Sequence, residues 1–221
     1  MPRNYYRRRS YRRRYYPKKK SYSLGSALST AGKALTVAYG VKKLLNVERK
    51  ILDNTINVAP STSGLVINLT NCSQGDDYNN RQGDSILAKS IDLRYSVQMN
   101  ASASFTTARC MLVRDNWQQG TDPTFSELLE NPTNTRSFLN HDQNGRFTIL
   151  MDQKIVLLQS TEKSAFVSDK HFNLNHHIKF TGTDNLDASN SAGHLYLMVM
   201  SNEATNTPTF YGFSRFRFID N

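Results

Sequence analysis

The chain has only two cysteines, Cys72 and Cys110, among 221 residues. That is too few for a disulfide framework, so a reducing compartment is the default and at most one bridge is available. No run approaches the roughly 18 apolar residues of a membrane-spanning helix. The N-terminus is basic and aromatic where a secretory signal would carry an apolar stretch. Without such a signal, the sequons Asn68-Leu69-Thr70 and Asn71-Cys72-Ser73 read as chance matches. Catalytic signatures are also missing: there is no Gly-x-Ser-x-Gly elbow, no phosphate-binding Gly-rich loop and no His-Glu-x-x-His helix. The residues therefore argue against an enzyme.

A further absence is local. The first 20 residues contain no carboxylate, yet they hold ten basic groups: Arg3, Arg7, Arg8, Arg9, Arg12, Arg13, Arg14, Lys18, Lys19 and Lys20. The whole chain has 28 Lys+Arg and 18 Asp+Glu, so residues 21–221 carry 28 − 10 = 18 basic and 18 acidic groups. All of the net charge of +10 belongs to the arm. A domain that reads duplex DNA usually spreads positive charge over a folded face. A neutral body with a polycationic tail is instead a body with a tether for a polyanion.

Residues 1–23 are predicted to be disordered, because RRRSYRRRYYPKKK cannot bury enough apolar surface to offset charge repulsion and ordering entropy. Tyrosines are interleaved with the arginines, Tyr11, Tyr15 and Tyr16 among them. Guanidinium groups grip phosphates in a bidentate manner, and tyrosine rings stack on unpaired bases at about 1–3 kcal/mol each. The arm thus suits single-stranded nucleic acid, and the same clusters also fit a nuclear import signal read by host import receptors. Residues 24–50 change character. Leu24, Leu28, Ala31, Leu35 and Ala38 recur at helical spacing, predicting an amphipathic helical connector over 26–45, about 30 Å long. Gly25, Gly32 and Gly40 weaken it, and a short packed connector fits better than a membrane-active helix.

From residue 51 to 221 the pattern is β. Ile51–Val58 and Gly64–Asn71 read as one broken strand or a hairpin. In Ser85–Met99, Ile91, Leu93, Tyr95 and Val97 alternate with Asp92, Arg94, Ser96 and Gln98, one face buried and one solvated. Further strands are predicted at Thr106–Arg114, Arg146–Leu158, His171–Thr181, His194–Ser201 and Thr209–Ile219. Polar loops separate them, notably 115–145, with one helical turn expected at Ser126–Leu129, and 182–193. Short strands without intervening helices predict an all-β sandwich or barrel. His171 and His177 would share a strand face, but three or four converging ligands are needed for zinc. No metal is expected. The weak exception is the loop 75–84, whose Asp76, Asp77 and Asp84 are the ligand type that calcium takes.

Taken in order, these features form a recognisable set: the Arg/Tyr leader, a helix ending Lys-Lys-Leu-Leu-Asn-Val-Glu-Arg-Lys, the Gln74-Gly75 turn, Arg81-Gln82-Gly83-Asp84-Ser85-Ile86, Ala108–Asp115, and the aromatic strand Phe210–Asp220. The arrangement resembles the capsid proteins of circular, replication-initiator-encoding single-stranded DNA viruses. Their body is in turn similar to that of satellite necrosis virus coat proteins, which enclose RNA. The resemblance implies an eight-stranded single jelly roll of two four-stranded antiparallel sheets. Ile51–Asn71 would then be the first strand, and the sixth would fall near 182–193.

The resemblance further implies a virion protein that assembles with itself into a T=1 icosahedral shell of about 60 copies. Its arms would package single-stranded nucleic acid, DNA in preference to RNA. Assembly would take place in the host nucleus, and the shell would meet an unidentified cell-surface receptor. The alternatives are the coat protein of a single-stranded RNA satellite-type virus, or a non-viral nucleic-acid-binding protein. No cofactor is implied, apart from a structural calcium between subunits.

Overall fold

The computed structural model describes residues 48–117, 120–159 and 163–220. The arm (1–23) and most of the connector (24–50) lie outside the described residues. Eight strands follow in order: β1 (Glu48–Val58), β2 (Leu65–Asn68), β3 (Ser85–Gln98), β4 (Phe105–Asp115), β5 (Phe147–Leu158), β6 (Ala165–Lys179), β7 (Leu195–Ser201) and β8 (Thr209–Asp220). One four-residue helix, α1 (Phe125–Leu128), interrupts the long connection between β4 and β5. The strands form two four-stranded sheets, ordered β1-β8-β3-β6 and β2-β7-β4-β5. All of their pairings are antiparallel. This is the jelly-roll order.

The alternation in the sequence accounts for the sandwich. In β8, Phe210, Gly212, Ser214, Phe216 and Phe218 point inward, while Tyr211, Phe213, Arg215 and Arg217 point out. Strand β3 does the same with Ile91, Leu93, Tyr95 and Val97 inside and Asp92, Arg94, Ser96 and Gln98 outside. Between the sheets these side chains meet Ala108, Cys110, Leu112, Leu197 and Val199 in the main core. Each large apolar side chain buried there contributes about 1.5–3 kcal/mol. Gly212 is needed where it stands: a Cβ there would lie 3.1 Å from both the Arg94 carbonyl oxygen and the Tyr95 Cβ. That close approach lets the Tyr95 ring stack on Phe210, centroids 5.3 Å apart.

Strand β7 reads LYLMVMS and is buried along its whole length. Leu195, Leu197 and Val199 face the main core. Tyr196, Met198 and Met200 face a second cluster that includes Phe125, Leu128 and Leu129. The connection between β4 and β5 therefore covers the outer face of its sheet, where the sequence predicted a polar loop with one helical turn. Two arginines fasten it. Arg109 donates from Nε and Nη2 to the Asp152 carboxylate, both at 2.8 Å, and from Nη1 to the Ser137 carbonyl at 2.7 Å. Arg146 pairs with Asp115 at 2.9 Å and with Glu127 at 2.5 Å.

The strand assignment is corrected in three places. Ile51–Val58 and Gly64–Asn71 are not one broken strand: β1 pairs with β8, and β2 pairs with β7 in the opposite sheet. The count of eight is thereby complete without residues 182–193, which form a loop with a single 3-10 turn at Asp187–Ser189. The strand predicted at His171–Thr181 is the true sixth; it begins at Ala165, where alternating Val, Asp and His hid a solvated edge. Strand β1 begins three residues before the apolar run Ile51–Val58, with Glu48, Arg49 and Lys50 pairing with Asp220, Ile219 and Phe218. The predicted turn at Ser126–Leu129 is present one residue earlier, capped by Thr124 and Glu127. Both cysteines are free and buried.

Candidate functional site

One sheet is covered on its outside by the connection between β4 and β5; the outer face of the other, β1-β8-β3-β6, is not covered by any of the described residues. Register lines up its outward residues in rows. One row runs Asp53, Arg215, Asp92, His171 across all four strands. The next runs Thr55, Phe213, Arg94, Asp169, and the one beyond it Asn57, Tyr211, Ser96, Val167. A bulge at Lys89 shifts the register so that Ser90 also faces outward, opposite Arg217.

The first row is an electrostatic ladder. Arg215 donates from Nε and Nη2 to Asp53 at 2.8 and 2.7 Å. Its hydrogen bond holds the Asp53 carboxyl below the usual carboxylate range. Asp92 accepts from His171 Nδ1 at 2.5 Å on one oxygen and from Arg217 Nη1 at 2.6 Å on the other. The hydrogen bond from His171, followed by that from Arg217, lowers the Asp92 carboxyl, and Asp92 in turn raises His171. With Asn173 Oδ1 3.1 Å from Nε2, both ring nitrogens of His171 face oxygen acceptors. That arrangement suits the imidazolium form.

The Arg94 side chain is exposed and forms no ion pair or hydrogen bond among the described residues, with Asp169 opposite it on β6. Beside it on β8 stand Tyr211 and Phe213, 43% and 47% exposed. Their rings meet edge to face, centroids 5.1 Å apart. Asp53, Asp92, Arg94, Phe213, Arg215 and Arg217 line a groove of about 390 Å³. Its charged lining sums to three arginines against two aspartates, 3 − 2 = +1.

The arm residues singled out from the sequence, Arg3 through Lys20 with Tyr11, Tyr15 and Tyr16, lie outside the described residues. Asp76, Asp77 and Asp84 are exposed in the connection from β2 to β3. They do not converge: Asp76 meets Gln82, Asp84 meets Arg81, and the Asp77 carbonyl accepts from the Asn80 amide. Among the described residues no three His, Cys, Asp or Glu side chains gather around a common point. Nor is any helix there long and apolar enough to cross a membrane. Sequence reasoning did not single out the groove. Its signal was the pairing of basic and aromatic residues at alternate positions of Phe210–Asp220, legible only once β8 was known to sit beside β3.

Residues 29–220 match the family profile of the satellite tobacco necrosis virus coat protein. The capsid protein of Satellite tobacco necrosis virus 1 is 32% identical over 169 residues, covering 72% of this chain and 81% of that protein. The coat protein of Satellite tobacco necrosis virus 2 is 32% identical over 160 residues, covering 70% and 76%. A chain of Desmodium yellow mottle tymovirus covers 79% of this chain and 87% of its own at 11% identity and a TM-score of 0.38. The expected kinship with single-stranded DNA virus capsids gains no support, and the matches fall on the satellite group, to which the sequence likened only the body. The chain belongs to the satellite tobacco necrosis virus coat protein family, and it is a viral capsid protein of the virion.

Proposed function

We infer that the protein assembles with itself into an icosahedral shell and that its N-terminal arms hold a single-stranded genome inside, RNA rather than DNA. The observation that carries this reading is the division of charge within a coat-protein chain. The matched region 29–220 excludes all ten basic residues of the first 20, and residues 21–221 are formally neutral. A neutral body can crowd about 60 copies together without a large net charge to oppose it. The arms then bring roughly 600 positive charges, on ~60 copies, against phosphates, and release of condensed counterions drives capture. Phosphate contacts position without specifying sequence, so packaging depends steeply on salt and weakly on base order.

RNA is favoured over the DNA expected from the arm composition. The relatives are satellite tobacco necrosis virus proteins, and the resemblance noted from the sequence implies that such shells enclose RNA. The case for a nuclear phase rested on a DNA genome and loses that footing. Exposed apolar side chains away from the groove, such as Phe138 and Leu186, supply surface for contacts between copies.

The test is expression of the full chain beside a variant lacking residues 1–20. Negative-stain microscopy and the ratio of absorbance at 260 and 280 nm are read on the same fractions, and ribonuclease and deoxyribonuclease digestion identifies the cargo. Uniform shells filled with ribonuclease-sensitive material, emptied by the deletion, are expected. Equal nucleic-acid content in both would overturn the role of the arm, and monomers under every low-salt condition would overturn self-assembly.

A further inference from the structure

We propose that the groove on the outer face of the β1-β8-β3-β6 sheet is a second binding site for single-stranded nucleic acid, with Arg94 and Arg217 taking phosphate and Phe213 and Tyr211 stacking a base. The proposal rests on the packaging function above and extends it from the arm to the folded body.

Three observations carry it. First, the Arg94 guanidinium is exposed, and no described side chain forms an ion pair or hydrogen bond with it. Second, the two carboxylates in the groove are already engaged, Asp53 by Arg215 and Asp92 by Arg217 and His171. These pairs hold the planes of Arg215 and Arg217 in place while leaving both side chains partly exposed, 52% and 39%. An arginine so held loses less entropy when it grips a phosphate. Third, two aromatic rings stand open to solvent on the same strand, next to those cations. Phe213 lies in the same row as Arg94, and Tyr211 is one row further on. An exposed ring beside an arginine on a sheet surface is how single strands are held, because an unstacked base can lie on the ring while its phosphate meets the cation. A duplex keeps its bases stacked and offers no such face.

A groove with a net positive lining and a free guanidinium complements a polyanion. A neighbouring copy of the neutral body offers no such charge, and contact between copies is kept as an outcome of the test.

Filled shells of the full chain would be loaded with RNA containing 4-thiouridine, irradiated, digested and mapped by mass spectrometry. Adducts on the β8 peptide at Tyr211 or Phe213, alongside adducts on the arm, are expected. Adducts confined to the arm would overturn the second site and leave the packaging reading standing, and shells devoid of nucleic acid would overturn both. A second measurement uses dissociated full-length subunits and a fluorescein-labelled oligouridylate. Arg94→Ala with Phe213→Ala should weaken binding at least about fivefold, the loss of one stacked base. It should also make the log–log salt dependence shallower by about 0.7, the loss of one phosphate contact. Arg94→Lys with Phe213→Tyr should restore both. Unchanged affinity and slope in the alanine variant, with shells that no longer close, would reassign the face to a contact between copies and sink the proposal.

Discussion

The guanidinium carbon of Arg81 sits 4.1 Å from the centroid of the Phe180 ring. Its side chain is fully buried, and Nε donates to the Cys72 carbonyl at 3.3 Å, Nη1 to Gly83 at 2.6 Å and Nη2 to Gly182. One side chain therefore joins the start of the connection after β2, the entry to β3 and the exit from β6. Its carboxylate neighbour contributes little, since Asp84 is 3.5 Å away with its side chain 80% exposed.

Arg81→Met leaves three carbonyls without their donor, and Arg81→Lys cannot reproduce the planar fork that reaches all three. Each is expected to cost about 3–5 kcal/mol, the range for breaking a buried charged network. Asp84→Asn should change stability by less than about 1 kcal/mol, as for exposed pairs. Urea denaturation of dissociated subunits measures all three, and equal losses for Arg81→Lys and Asp84→Asn would contradict this assignment.

Gly64 ends the turn at which the chain leaves β1 for the opposite sheet, and its φ is +69°. A Cβ there would stand 2.3 Å from Phe125 Cε2, so the turn and α1 close against each other. Gly64→Ala combines a left-handed backbone with a clash and should cost about 1–3 kcal/mol. Adding Phe125→Leu should recover part of that loss without restoring wild type. A double variant no better than the single one would show that backbone strain alone sets the cost.

His194 is buried among Thr70, Phe180 and Lys179. Its Nε2–H donates to the Lys179 carbonyl at 3.1 Å, which leaves Nδ1 to accept from the Thr70 hydroxyl, also at 3.1 Å. Burial pushes the imidazole down to about 3 from 6.5. The folded state therefore refuses a proton that the unfolded chain accepts. The stability this group contributes is full above pH 6.5 and is lost as pH falls from there toward 3. The slope approaches about 1.4 kcal/mol per pH unit. Urea midpoints measured from pH 7 to pH 4 should fall, and His194→Gln should flatten that fall whatever its cost at neutral pH. An unaltered slope in the variant would place the acid sensitivity elsewhere.

Burial raises the Cys72 thiol to about 12, and it raises Cys110 as well. Neither is a thiolate near neutral pH, and both side chains are enclosed. Folded subunits should leave a thiol-reactive disulfide reagent unconsumed, and two equivalents should react once urea unfolds the chain. Rapid reaction of one thiol in the folded protein would mean that its loop opens.

Much of the sandwich was legible because period-two alternation survives wherever one sheet face is wet and the other dry. Ile91 to Val97 and Phe210 to Phe218 show it plainly, and the structure places those residues inside. The split between β1 and β2 was not legible. Two short apolar runs separated by a Gly-containing turn look alike whether the chain reverses within one sheet or crosses to the other. The choice was made by partners more than a hundred residues away, β8 for one and β7 for the other. Likewise the polar connection after β4 gave no sign that Phe125, Leu128 and Leu129 would close over Met198, because burial on both sides of β7 depends on how the connection folds back.

By itself, the sequence determined the all-β class, the separation of a cationic arm from a neutral body, and the alternating faces of the longest strands. These follow from local composition and from the two-residue period of a strand. Only the tertiary structure decided which strands share a sheet, which sheet face the described residues leave uncovered, and that Arg94, Phe213 and Arg217 stand together. Those outcomes depend on register between strands far apart in the chain, and local sequence carries no record of which distant strand will supply the neighbouring row.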